Sequence, residues 1–166
     1  MIMKKKHKQK KLDVRRRREC KTDYRKRLVL LKGNKPRLVV RKSNKYILLQ
    51  IVESSKAQDK VLFSVNSKEL LSKGWPKDKE GSLKNLSAGY LAGFLLGKKA
   101  KDLKGSVILD SGLIPNTRGS RVYAVVKGLS DAGVEIPFDE KVMFSEEEIA
   151  EKIGKDVFEK VKGGLA

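Results

Sequence analysis

From residue 37 onward the apolar positions change period several times, and each change predicts an element. Arg37 to Lys42 reads as a strand, Ser43-Asn44 makes a turn, and Tyr46 to Glu53 follows as a second strand. Together they form a hairpin whose tip carries Arg41, Lys42 and Lys45. Val61 to Val65 predicts a third strand after the polar loop Ser54–Lys60, and Lys68–Leu71 a short helix. Trp75, set between Gly74 and Pro76, is expected to anchor a loop on the core. From a cap at Asn85 or Ser87 to about Lys101 the chain is apolar on most sides, which predicts a buried helix. Its Gly89, Gly93 and Gly97 share one ridge, and the expectation is close packing on the sheet. Val107-Ile108-Leu109 is an all-apolar run ending at Asp110, as in the centre of a sheet covered on both faces.

After the loop Ser111–Gly119, residues Ser120–Ala132 place Val122, Val125, Val126 and Leu129 on one helical face, with Gly133 just past the end. Ser145 and Glu148 form a capping box, and Gly154 divides the tail into two short helices. Upstream, Tyr24, Leu28 and Leu31 recur at helical spacing, predicting a helix within residues 13–31 that Gly33 ends. Residues 1–12 are rich in Lys and offer little apolar surface, so they are expected to be disordered in isolation. The order predicts an α/β fold: a mixed β-sheet, made of a three-strand meander plus a crossover strand, flanked by helices. A basic N-terminal extension precedes it and a short helical C-terminal tail follows. The corresponding units are 1–34 (basic arm and helix), 35–138 (α/β domain) and 139–166 (tail).

Charge changes the picture, because it is concentrated in the first quarter of the chain. Residues 1–45 hold 20 of the 39 Lys and Arg against three acids, which is +17 of the formal +19. A nearly neutral body with so basic an arm calls for a polyanion on one side. The single Cys20 excludes an internal disulfide and a cysteine zinc site, and the single His7 lies in a Lys run with no companion ligand. No metal or cofactor is expected. Met1-Ile2-Met3 leads into lysines rather than an apolar signal segment, and the apolar stretch Leu86 to Leu96 is too short to span a bilayer. The expected location is the cytoplasm, with no membrane partner.

The candidate chemistry is phosphate binding. Arg15, Arg16, Arg17 and Arg18 point in all directions on a helix, and the guanidinium fork suits phosphate oxygens. Arg25, Arg27, Arg37, Arg41 and Lys42 extend that set, and Ser43, Asn44 and Lys45 bring the hairpin turn to it. Arg41 is expected to project from its strand with no structural reason to be basic. A metal-dependent nuclease would need several converging carboxylates. Asp110 and Glu53 end strands, but no third acid joins them, and no phosphate-binding glycine loop occurs. The chain is therefore not expected to be an enzyme. A nonspecific nucleic-acid-coating protein is the other alternative.

Several segments carry a more specific likeness. They are Arg15-Arg16-Arg17-Arg18-Glu19, Thr22-Asp23-Tyr24, Arg27-Leu28, Lys35-Pro36-Arg37-Leu38-Val39 and Arg41-Lys42-Ser43-Asn44-Lys45. Ser87-Ala88-Gly89-Tyr90-Leu91, Leu109-Asp110, Gly119-Ser120-Arg121-Val122-Tyr123-Ala124 and Asp131-Ala132-Gly133 continue it. In order and spacing, over about residues 15–138, the chain closely resembles the archaeal-type large-subunit ribosomal protein 18 family, which binds 5S rRNA. The resemblance implies a structural protein of the large ribosomal subunit that seats 5S rRNA in the central protuberance. It also implies large-subunit rRNA and neighbouring ribosomal proteins as partners. Lys21, Tyr24, Arg118, Ser120 and Arg121, in or beside the matching segments, complete the candidate RNA-binding set. The loop after Gly112 places Pro115 and Thr117 differently from the family pattern, so nothing is carried onto Asn116 and Thr117.

Overall fold

A computed structural model describes residues 12–13, 15–56, 58–103, 105–115 and 117–165. The expected disorder of the Lys-rich start falls, for residues 1–11, outside the described residues.

Strands β1 (Arg37–Lys42), β2 (Ile47–Ser55) and β3 (Gln58–Asn66) form an antiparallel meander, and β4 (Ile108–Asp110) lies parallel to β1. The order is β3-β2-β1-β4, so the sheet is mixed, as the α/β reading requires. Ser43 closes the first hairpin: its hydroxyl bonds both the amide and the carbonyl of Tyr46, each at 2.9 Å. The polar loop expected over Ser54–Lys60 is mostly strand, because β2 and β3 pair as far as Ser55 and Gln58.

Strand alternation sends Leu38, Val40, Ile47, Leu49, Ile51 and Val65 to one face, where all are buried. Helix α3 (Leu86–Lys99) packs on that face, capped by Asn85, whose side chain accepts from the Ala88 amide. The strand expected at the centre of the sheet is instead at its edge. Its apolarity is still used: Val107 donates to the carbonyl of Glu135 at 2.8 Å, and buried Val134 and Ile136 cover that flank.

The glycine ridge of α3 meets a helix rather than the sheet. Helix α4 (Arg121–Asp131) crosses it so closely that a Cβ at Gly93 would collide with the Val125 carbonyl. One at Gly97 would collide with Ala132, and one at Gly128 on α4 with the Tyr90 carbonyl. Helices α5 (Glu146–Glu151) and α6 (Lys155–Leu165) and the turn between them add Ile149, Ile153, Phe158, Val161 and Leu165 to the same core. Phe158 sits 5.4 Å from the Tyr90 ring, and the buried Ser87 hydroxyl donates to the Ile149 carbonyl at 2.5 Å. The Tyr90 hydroxyl donates to Asp131 at 2.8 Å; burial, then that bond and charge, pushes its pKa up and keeps it a neutral donor. The expected capping box at Ser145 and Glu148 is present.

The helix predicted within residues 13–31 is broken in two. Helix α1 (Arg15–Arg18) is followed by a turn through Cys20, which has φ 49°, and α2 (Tyr24–Lys32) starts afresh. Asp23 sets the second start by accepting from the Lys26 amide at 3.1 Å; its short carboxylate favours a cap over a helix interior.

Replacing Gly93 by Ala is expected to cost about 2–3 kcal/mol, since two backbones must separate to admit the methyl. Gly163→Ala in α6, where a Cβ meets nothing within 4 Å, is expected to stabilise by about 0.5–1 kcal/mol. Urea midpoints of the two variants measure both.

Candidate nucleic-acid interface

The face of the sheet turned away from α3 is organised by charge. Arg37, at the start of β1, is only 1% exposed. One of its terminal nitrogens donates to Asp110 Oδ2 at 2.8 Å, and the other to Ser54 Oγ and Asp59 Oδ1, each at 2.9 Å. Arg41, two pleats along the same strand, reaches the other oxygen of Asp110 at 3.1 Å and the Asp110 carbonyl at 2.9 Å. From α2, Arg27 takes the remaining oxygen of Asp59 at 2.9 Å. Lys26 donates to Ser111 Oγ at 3.1 Å and to the Gly112 carbonyl at 3.3 Å. A single network of side chains thus joins α2, β1, β2, β3, the end of β4 and the loop after it.

Two backbone features make that network possible. Register shifts between Ile51/Phe63 and Val52/Val61, leaving Leu62 with no partner opposite. The extra residue turns Asp59 onto the face of Arg37 and Ser54; an unbroken register would have sent it to the other side. Gly112 has φ +60° and its amide donates to Asp110 Oδ1 at 3.0 Å. A Cβ there would lie 3.0 Å from the Arg41 guanidinium, which would have to shift, and the positive φ would strain most side chains, so glycine suits a loop folded back over it. Burial raises the Asp59 carboxyl, but the bonds from Ser54 and Arg27 and the charge of Arg37 outweigh it and hold the pKa below the usual range.

Two expectations are corrected here. Arg37, expected to touch RNA, is buried and spends its terminal nitrogens on Asp110, Asp59 and Ser54. Arg41, expected to have no structural reason to be basic, braces the carboxylate and carbonyl of Asp110.

The rest of the predicted set lies at the surface. Arg15 to Arg18 are all exposed; Arg15 and Arg17 make only loose pairs with Glu19 and Asp13, at 3.9 and 3.6 Å. Lys21 pairs with Glu19 at 2.8 Å, and Arg16 donates to Thr22 at 3.0 Å. Arg25 is exposed, Arg27 is partly covered by its bond to Asp59, and Tyr24 is 40% exposed. Lys42, Asn44 and Lys45 are exposed at the hairpin tip, where Ser43 serves the turn. Arg118 and Arg121 are exposed, while Ser120 caps α4 by position and its hydroxyl is buried with no partner among the described residues.

Two hollows bring much of this set together. A cleft of about 780 Å³ runs between α2, the end of β1 and the loop after β4, and includes Arg16, Lys21, Tyr24, Arg27, Arg41 and Lys42. A smaller hollow of about 410 Å³ gathers Lys42, Ser120 and Arg121 at the start of α4. Arg15, Arg17, Arg18, Arg25, Asn44, Lys45 and Arg118 line neither. Sequence reasoning missed Lys26, Ser54 and Asp59, and the cleft wall of Leu113, Ile114 and Pro115. Lys26 and Ser54 are ordinary surface types in sequence, and the bulge that aims Asp59 leaves no sequence signature. Among the described residues no group of three or more His, Cys, Asp or Glu could hold a metal, and no helix is long and apolar enough to cross a membrane.

Comparison with known proteins finds one family whose profile covers residues 7–105, more than half of the chain: ribosomal large subunit proteins 60S L5 and 50S L18. Curated relatives agree. The large ribosomal subunit protein uL18 of Korarchaeum cryptofilum is 46% identical over 108 residues, covering 63% of this chain and 52% of the relative. That of Methanoregula boonei is 43% identical over 106 residues, covering 63% and 59%. That of Methanothrix thermoacetophila is 42% identical over 111 residues, covering 66% and 63%. The chain spans between about half and just under two thirds of the length of these relatives.

Arg37→Met should lower stability by about 3–5 kcal/mol, because it leaves Asp110 Oδ2 without its donor in a buried site and frees Asp59 and Ser54 as well. Arg41→Ala, which removes a half-exposed guanidinium from the same strand face, should cost at most about 1 kcal/mol; chemical denaturation compares them. A second expectation concerns acid. Because the folded Asp59 carboxyl titrates below its unfolded value, its contribution is present above about pH 4 and is lost as pH falls through the lower folded pKa. The stability gap between the native chain and Asp59→Asn should therefore be full at neutral pH, begin to shrink near the unfolded carboxylate value of about 4, and close once pH has fallen through the lower folded pKa. Urea midpoints across that range measure it.

Proposed function

The chain belongs to the family of ribosomal large subunit proteins 60S L5 and 50S L18, and from that premise we propose that it is a structural constituent of the large ribosomal subunit that binds 5S rRNA. In this reading it seats 5S rRNA in the central protuberance of cytoplasmic ribosomes, against large-subunit rRNA and neighbouring ribosomal proteins. The observation that carries the proposal is the pairing of charge with rigidity. Helix α2, the end of β1 and the loop after β4 carry exposed cations, and the ion network beneath holds these elements in one arrangement, with α1 and the hairpin tip extending the basic surface on either side. A fixed constellation of cations suits one shaped RNA, because phosphates set position only where their spacing matches.

Neither alternative draws equal support. A nonspecific nucleic-acid coat needs charge but no buried device to hold it still. A nuclease would need Asp110 on a metal, whereas both its oxygens are engaged by Arg37, Arg41 and the Gly112 amide.

Filter binding to 5S rRNA tests the proposal. With roughly 6–10 phosphates neutralised, affinity should fall about 10³–10⁵-fold between about 50 and 200 mM salt. At every salt concentration 5S rRNA should outcompete duplex DNA of equal length. Equal displacement by the DNA would favour the coating protein instead.

A further inference from the structure

We propose that the cleft between α2, the end of β1 and the loop after β4 receives a single unpaired nucleotide of a bound RNA strand. This rests on the RNA-binding reading above and adds to it which kind of RNA element enters. At about 780 Å³ the cleft is of the size that takes a small ligand, with room for one nucleotide. Its floor holds two carboxylates, Asp59 and Asp110, that would repel an anion if bare. Both are already bound by arginines, so the floor carries no free negative charge to turn an anion away. Its rim supplies exposed cations in Arg16, Lys21 and Lys42, and Lys42 makes no ion pair among the described residues.

Charge alone would serve any phosphate. What singles out a base is the apolar surface in the same cleft. Tyr24 is 40% exposed and Leu113 58% exposed, and Ile114 and Pro115 continue that wall. Large apolar side chains left open beside cations offer a base both a stacking face and a place for its phosphate. Paired bases in a helix have their faces covered by neighbours and cannot use such a wall. An unpaired nucleotide in a loop or bulge can. Because the arginines of α1 and the lysines of the hairpin tip continue past the cleft, the strand on either side of that nucleotide has cations to follow, which a free nucleotide would not use.

The test is a nuclear magnetic resonance titration of the isotope-labelled full chain. The probes are oligo(A), oligo(C) and oligo(U) tetraribonucleotides, a short RNA duplex, and AMP. The tetranucleotides should shift the Tyr24 ring and the amides of Lys42, Gly112 and Leu113; the duplex should shift Arg15, Arg17 and Arg18 of α1 and leave those four cleft signals nearly unmoved. AMP should bind on the order of tenfold more weakly than the tetranucleotides. Tyr24→Leu should weaken tetranucleotide binding on the order of tenfold, whereas Tyr24→Phe should keep it, since stacking uses the ring and not the hydroxyl. Tyr24 is exposed and outside the core, so melting temperatures of both variants should match the native chain. The inference is overturned if the duplex shifts the cleft as strongly, if the tetranucleotides leave it unmoved, if AMP binds as tightly, or if Tyr24→Leu changes nothing. A parallel 5S rRNA titration separates the two readings. Tight 5S rRNA binding with a silent cleft sinks only this inference, while loss of 5S rRNA preference sinks the functional proposal itself.

Discussion

Arg37 and Asp110 meet at 2.8 Å with almost no access to water, and the polar half of the molecule is arranged around that contact. Each partner continues outward. Arg37 holds Asp59 and Ser54, and through Asp59 it reaches Arg27 on α2. Asp110 holds Arg41 and the Gly112 amide, which fixes the loop after β4. Helix α2 has no fully buried residue, so the bonds of Arg27 and Lys26, the half-buried Leu30 and Leu31 and the approach of Gly33 to Ile108 dock it. The opposite face of the sheet needs no such device, because α3, α4 and the tail seal it with an apolar core.

A buried ion pair is a poor way to gain stability, since removing two charges from water costs about as much as their attraction returns. Its value here lies in geometry. An apolar pair in place of Arg37 and Asp110 could fill the same space, but it could not orient Arg41, Arg27 and Gly112 at once. The orphaned Nε of Arg37, buried with no partner among the described residues, is consistent with a group placed for its neighbours rather than for its own satisfaction.

The apolar half of the fold is legible in the sequence because burial writes itself as periodicity. The β1–β2 hairpin, α3, α4 and the tail capping box all follow from spacing and capping residues. What spacing does not carry is which surface an element meets. The ridge of Gly89, Gly93 and Gly97 reads as close packing, but only three-dimensional arrangement shows that the neighbour is α4. The apolar run before Asp110 reads as a central strand because the segment around Val134 covers an edge as thoroughly as another strand would. The polar half is harder still. Arg37 and Arg41 look alike as bases at the two ends of one strand, and a bulge at Leu62 decides that Asp59 can reach one of them. In sequence the candidate RNA-binding residues form one basic set; the fold separates it into residues that present charge and residues that hold the presenters in place.

That division can be tested by making the chain more positive and asking whether it binds RNA less well. Asp110→Asn keeps the shape of the side chain and removes one negative charge while leaving every cation of the chain in place. If net charge alone governs binding, its affinity for 5S rRNA should equal or exceed that of the native chain. If the Arg37–Asp110 contact places the basic surfaces, affinity should fall on the order of tenfold or more under conditions where circular dichroism shows the variant folded, as about 1.4 kcal/mol of lost positioning would produce. Unchanged or tighter binding by the folded variant would contradict the account.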